Sequence, residues 1–184
     1  MHINDFIRNF ERKKIVEQIN EGLEPNERHI ILPIKFHDAT IEMCNKQREV
    51  QGVLLCLELA ESKNLWVQSM INIGYGTNFS VFADPKKCQA VEELTRQHPY
   101  IKFVDFHIHT TGTGEAYYNS FSTGDIQGII KSFSQNNNYK HVLFTPSSIL
   151  TFGIDRPKFV IKNYKDIIDF EKLENKFKGL LAVQ

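Results

Sequence analysis

The sequence IKFVDFHIH at residues 101–109 combines aromatic and β-branched residues with two histidines. Such a composition is typical of a β-strand. Because side chains alternate between the two faces of a strand, His107 and His109 point the same way. Two imidazoles on one face can bind one metal ion together, although a pair of half-buried histidines gives the same pattern. The stretch therefore predicts a strand and leaves the role of its histidines open.

The sequence STGD at residues 122–125 follows this strand and opens a helix. Ser122 and Asp125 fit the capping-box pattern, in which each side chain accepts a hydrogen bond from the other residue's backbone N–H. Apolar residues then recur at helical spacing, at positions 126, 129, 130 and 133. A helix cap is one interpretation. The other is that Asp125 joins the two histidines at a metal, because two His and one carboxylate leave the open fourth position of a catalytic zinc.

A third element lies upstream, where Glu49 precedes an apolar run over residues 50–57. The run is long enough for a buried strand, and Gly52 indicates a place where the backbone passes close to another group. An isolated glutamate in this position is usually a solvated turn residue. A site with two histidines and one aspartate also needs a general base, for which Glu49 is the candidate. Glu58 and Glu115 are its rivals.

Taken in order, the three elements resemble the JAMM (JAB1/MPN/Mov34) zinc metalloprotease family, whose pattern is an upstream Glu, then His-x-His, then Ser-x-x-Asp. Residues 28–36 look like the opening strand of that family, 38–47 like its first helix, and 49–52 like its Glu-x-x-Gly. The resemblance covers about residues 28–162. It departs from the family at Ile108 and Thr110, where Ser or Thr and Pro are usual, and in a longer segment between the histidines and Ser122.

The resemblance implies one zinc ion bound by His107, His109 and Asp125, with water as the fourth ligand. It implies that Glu49 is the general acid and base and that Ser122 stabilises the oxyanion. The reaction implied is hydrolysis of an amide or isopeptide bond, as in a deubiquitinase-like isopeptidase that removes ubiquitin or ubiquitin-like modifiers. The expected partner is the tail of such a modifier or another peptide conjugate.

The fold implied is α/β, an MPN/JAB1 (deaminase-like) mixed β-sheet sandwiched by helices. Residues 1–184 would form a single domain, in which residues 1–27 and 163–184 add N- and C-terminal helical extensions. Within it we expect helices over 3–22, 38–47, 84–97, from Ser122 onward and over 165–180. Strands are expected near 29–36, 52–58, 65–73, 78–82, 101–108 and 141–144, with a hairpin across 155–157.

Two alternatives stay open. The first is a metal-free MPN scaffold that only binds partners. The second is a PHP-type or amidohydrolase-like metallohydrolase, because VDFHIHT at residues 104–110 also resembles the Asp-x-His-x-His-Thr strand of those enzymes. Their barrels typically need about 200 residues or more. They place this strand near the start of the domain, whereas this sequence ends at residue 184.

Composition favours one globular domain, with 184 residues of which 41% are hydrophobic. Positive and negative side chains balance at 22 each, so nothing indicates a nucleic-acid partner. The sequence contains neither an apolar run long enough for a membrane span nor a secretion signal, and we expect no membrane association. Cys44, Cys56 and Cys88 are widely spaced, which indicates buried thiols in a reducing compartment, the cytoplasm. The oligomeric state is left open.

Overall fold

The computed structural model describes residues 17, 19–46, 49–59, 62–76, 81–98, 101–111, 119–136, 139–153 and 155–162. Eight strands and three helices are bounded within them. In chain order they are β1 His29–Pro33, α1 Ile34–Cys44, β2 Val50–Glu58, β3 Leu65–Gly76, β4 Val81–Ala83, α2 Pro85–Gln97, β5 Ile101–Ile108, α3 Thr123–Gln135, β6 His141–Phe144, β7 Ile149–Phe152 and β8 Lys158–Lys162.

The strands form one mixed sheet with the order β7-β6-β5-β2-β3-β1-β8, and β4 pairs with β3. β2 is antiparallel to both of its neighbours, whereas β5 is parallel to β6 and β1 is parallel to β3 and β8. The strands at the two ends of the order, β7 and β8, follow each other in the chain. Thr151 Oγ1 donates to the Pro157 carbonyl at 2.7 Å beside them. The sheet therefore curls back toward itself and comes close to a barrel.

Two apolar clusters lie on opposite faces of this sheet. β2 contributes to both clusters, because the side chains of a strand alternate between its two faces. Cluster A contains Ile19, Ile31, Val53, Leu55, Leu57, Leu59, Trp66, Ile73, Val91 and Ile101. Cluster B contains Ile30, Leu32, Cys44, Val50, Leu54, Cys56, Leu65, Val67, Val104, Phe106, Ile108, Val142 and Phe144. A strand buried on both faces reads as a continuous apolar run, which is why residues 50–57 predicted it.

The predicted sheet sandwiched by helices is wrong, because the described part of the chain is mainly β. Ile149 of β7 and Phe159 of β8 pack against cluster B. The rings of Phe144 and Phe159 lie 5.7 Å apart, edge to face. The curled ends of the sheet thus cover apolar surface that the prediction assigned to a helical layer. Of the predicted extensions, residues 17, 19 and 20 are helical, whereas 1–16, 18 and 163–184 lie outside the described residues.

Two local predictions are also wrong. The first helix begins at Ile34 instead of Asp38, because Phe36, Thr40 and Cys44 recur at helical spacing and face the core. The predicted hairpin across 155–157 is absent from the described strand pairs, since β8 runs parallel to β1. Within the described residues, no helix combines the length and the apolar character that crossing a membrane requires.

Gly52 brings β2, β3 and β5 into close approach, as the sequence predicted. A Cβ atom on this residue would lie less than 3.0 Å from both the Ile71 carbonyl oxygen and the Phe106 ring. The register between β2 and β3 shifts at the same point. The absence of a side chain at Gly52 therefore sets the position of Phe106, which directly precedes His107.

Candidate metal centre

His107 and His109 lie at the carboxyl end of β5, which is held between β2 and β6. Gln51 of β2 and Leu143 of β6 are the residues opposite His107. The His109 N–H donates to the Phe144 carbonyl at 2.9 Å, just beyond the end of the strand. The side chains of both histidines are only 5% exposed. Strand pairing on both sides therefore fixes the backbone that carries the two rings on one face.

α3 delivers Asp125 to these rings from its first turn. The Ser122 N–H donates to Asp125 Oδ2 at 2.7 Å, and the Asp125 N–H donates to Ser122 Oγ at 3.2 Å. The predicted capping box is thus confirmed. It also holds the carboxylate in one orientation, so the cap interpretation and the metal interpretation of this tetrad are compatible.

The three side chains are spaced as ligands of one small ion would be. The two Nε2 atoms lie 3.0 Å apart, His107 Nε2 is 3.2 Å from Asp125 Oδ1, and His109 Nε2 is 3.3 Å from Asp125 Oδ2. Ligands about 2.0–2.1 Å from a tetrahedral zinc ion are separated by about 3.3 Å. The His107, His109 and Asp125 group can therefore hold a metal ion.

Electrostatics favour the protonation states that metal binding requires. Burial lowers the pKa of His107, which keeps its imidazole neutral. Burial alone would raise the pKa of Asp125, but its contacts with His107 and His109 and the hydrogen bond from Ser122 hold that pKa well below its usual range. A carboxylate and neutral imidazoles are the forms that bind metals. Metal binding at neutral pH therefore requires little change in the protonation of these side chains.

Glu49 lies at the same end of the sheet as the histidines, since the next residue, Val50, pairs with Ile108. Its side chain is only 8% exposed. Burial raises the pKa of Glu49 to about 7; to a smaller extent, the charge of His109 lowers this pKa and that of Asp125 raises it. A carboxyl group that titrates near neutrality suits a general acid and base.

The rival bases are less well placed. Glu58 is exposed at the far end of β2, roughly 30 Å along the strand from Glu49 at about 3.3 Å per residue. Glu115 lies outside the described residues. Ser122 sits beside Asp125, where a lone pair of its Oγ serves the cap. The hydroxyl hydrogen of Ser122 is not used by that cap.

Three further residues adjoin the cluster, and the sequence did not identify them. His141 Nε2 lies 2.6 Å from His107 Nδ1, and Tyr139 Oη lies 2.8 Å from His141 Nδ1. Burial lowers the pKa of His141 to about 3 and raises that of Asp105, which shares a hydrogen bond with Tyr139, to about 6. Only the parallel pairing of β5 with β6, which places Asp105 opposite His141, brings them together.

A cavity of about 620 Å³ lies away from this cluster, at the beginning of β5. Basic side chains predominate among the charged groups of its lining, with Arg28, Lys63, Lys102 and Lys140 against Glu58 and Asp155. It contains none of the three candidate ligands. The candidate chemistry is therefore assigned to the carboxyl end of β5.

Comparisons with known proteins leave the family of this chain open. No family model matches the sequence, and no curated protein matches it. A solved structure that is similar is the solution structure of protein DSY2949 from Desulfitobacterium hafniense. It is 14% identical, with 73% of this chain and 93% of that chain covered and a TM-score of 0.48.

Proposed function

We propose that this chain is a zinc-dependent hydrolase that cleaves amide or isopeptide bonds, as the resemblance to JAMM proteases implies. The observation that carries the proposal is the buried His107, His109 and Asp125 group with Glu49 beside it. Two imidazole nitrogens and one carboxylate form a donor set that zinc binds in hydrolases, with one coordination position left for the reaction.

Each residue of the site then has its own role in hydrolysis. A zinc ion held by His107, His109 and Asp125 would supply Lewis acidity and would make a water molecule more acidic. Glu49 takes the proton of the attacking water and passes it to the leaving amine, for which its raised pKa is suited. Ser122 donates its hydroxyl hydrogen toward the developing oxyanion. The capping box keeps Asp125 in place during these steps.

The sheet restricts how a substrate can approach. β5 already pairs with β2 and β6, so an extended peptide cannot add to its edge. A cleft of about 360 Å³ begins beside Phe144, whose carbonyl receives the His109 N–H, and continues along Thr145 to Ile149. Ser147 Oγ donates to Asn119 Oδ1 at 2.6 Å in this region. Like the larger cavity, this cleft contains none of the three candidate ligands, so it is not assigned to the substrate.

The substrate class that we propose is the flexible tail of a ubiquitin or ubiquitin-like modifier, or another peptide conjugate. The side chains of His107 and His109 are only 5% exposed, which favours small tail residues over bulky ones. We also place the protein in the cytoplasm, because its cysteines are free thiols. Cys44 and Cys56 are buried, as predicted, and Cys88 is partly exposed.

A metal-free scaffold is the second candidate, and one observation favours it. Asp125 already receives the Ser122 N–H and contacts both imidazoles, so its carboxylate is held in place without an ion. The described strands and helices lack the strictly alternating β/α order of a (β/α)₈ barrel, which removes the support for the PHP-type alternative.

The proposal is tested by incubating the zinc-loaded protein with ubiquitin-like fusions and isopeptide adducts, with and without a chelator. We expect chelator-sensitive release immediately after the modifier tail. Glu49→Gln preserves the shape of the side chain and removes the base, so turnover should fall by roughly 10²–10⁴ while zinc is retained. Cleavage that persists in the chelated protein, or unchanged turnover in Glu49→Gln, would refute the assignment.

A further inference from the structure

A continuous series of polar side chains leads from His107 away from the candidate ion. His107 Nδ1 contacts His141 Nε2 at 2.6 Å, and His141 Nδ1 contacts Tyr139 Oη at 2.8 Å. Tyr139 also shares a side-chain hydrogen bond with Asp105. Asp105 and His141 are register partners on adjacent strands, so the series begins and ends on β5.

The hydrogens of this series can be assigned from its carboxylate end. A carboxylate only accepts hydrogen bonds, so the Tyr139 hydroxyl donates to Asp105. The Tyr139 oxygen then accepts from His141 Nδ1–H. A neutral His141 has only a lone pair left at Nε2, so His107 Nδ1–H must donate to it. The assignment leaves the lone pair of His107 Nε2 directed toward His109 and Asp125.

We propose that His141, Tyr139 and Asp105 are positioning residues that fix the tautomer and the ring orientation of His107 for metal binding. The inference rests on the metal site of the proposed function and adds residues that touch neither the ion nor the substrate. Histidines that bind metals usually donate their other N–H to such an outer partner, and loss of the partner typically weakens metal affinity 10- to 100-fold.

A purely structural role fits the surroundings less well. His141 is only 6% exposed, and its side chain lies on the opposite face of β6 from that of Val142, which belongs to cluster B. Burying a polar side chain is costly unless it has a partner. Here every donor and acceptor in the series is matched in one direction only, which specifies the tautomer of His107. Apolar side chains of similar size would fill the space without specifying it.

The test compares His141→Leu, which removes the acceptor, with His141→Gln, whose amide oxygen can accept from His107 Nδ1–H. Zinc affinity is measured by competition with a chromophoric chelator. We expect His141→Leu to bind roughly 10- to 100-fold more weakly than the wild type, and His141→Gln to stay within a few-fold. His29→Gln is the matched control, since His29 is also buried, at 4% exposure, but lies in β1.

Long-range ¹⁵N–¹H correlation spectra of the metal-free protein supply a second readout that needs no activity. We expect the hydrogen of His107 on Nδ1, and loss of that preference in His141→Leu. An Nε2–H tautomer of His107 in the wild type, or equal zinc affinity in wild type and His141→Leu, would overturn the inference. Zinc uptake without hydrolysis would instead count against the proposed function alone.

Discussion

Gly52→Ala is the substitution whose cost follows most directly from the structure. The added Cβ would lie less than 3.0 Å from two groups at once, the Ile71 carbonyl oxygen and the Phe106 ring. Phe106 is fully buried and packs edge to face against Phe144 at 5.7 Å, so its ring has no open space to enter. The carbonyl belongs to the paired backbone of β3 and cannot move by changing a rotamer.

Overpacking of a core typically costs about 1–3 kcal/mol, and two fixed neighbours place this substitution at about 3 kcal/mol. For a chain of this length that corresponds to a fall in Tm of roughly 6–12 °C. Thermal unfolding followed by circular dichroism measures it. Gly128→Ala is the matched control, because Gly128 is an α3 residue with nothing within 4 Å of its added Cβ. Its better helix propensity should stabilise the protein by roughly 1 kcal/mol.

The two variants should therefore shift Tm in opposite directions. A free energy of unfolding for Gly52→Ala within about 0.5 kcal/mol of the wild type would contradict this prediction. Changes that small are typical of surface substitutions and not of a position with no space for a side chain. Such a result would show that β2, β3 and β5 are not held as closely as the structure places them.

Three further predictions concern the metal cluster. Glu49→Gln should flatten the pH dependence of stability of the metal-free protein, measured by urea unfolding. The folded pKa of Glu49 is about 7 against an ordinary value of 4.5, so its contribution of up to about 3 kcal/mol is lost as pH rises through that window. Ser122→Ala should cost about 1 kcal/mol of stability and lower turnover about 10²-fold, whereas unchanged turnover would leave Ser122 a helix cap alone. Asp125→Asn keeps an oxygen for the Ser122 N–H but removes the charge, so chelator competition should show zinc affinity lowered by at least about 10²-fold; equal affinity would remove Asp125 from the site.

The sequence predicted those features of the site that lie within a single strand or helix. The alternation of strand side chains placed His107 and His109 on one face, and β5 has the predicted bounds. The Ser122 and Asp125 pattern predicted a cap, which is present. Gly52 predicted a close backbone approach because only the absence of a side chain permits one. Each of these inferences depends on residues a few positions apart.

Strand pairing between distant segments could not be predicted in this way. Nothing local indicates that β6 pairs parallel to β5, so His141 was not recognised as a neighbour of His107. For the same reason the sequence did not show that β8 pairs with β1 and that the sheet curls over cluster B. The prediction of a sheet sandwiched by helices was wrong because it depended on contacts between distant segments. The positions of the candidate ligands depend only on β5 and the first turn of α3, and for that reason they could be predicted.

Zinc binding by His107, His109 and Asp125 can be measured by titrating the metal-free protein with zinc in competition with a chromophoric chelator. We expect uptake of one zinc ion per chain in the wild type and loss of that uptake in His109→Ala. X-ray absorption of the loaded protein should show two imidazole ligands at about 2.0–2.1 Å. No uptake by the wild type, or equal uptake by His109→Ala, would contradict zinc binding by these residues.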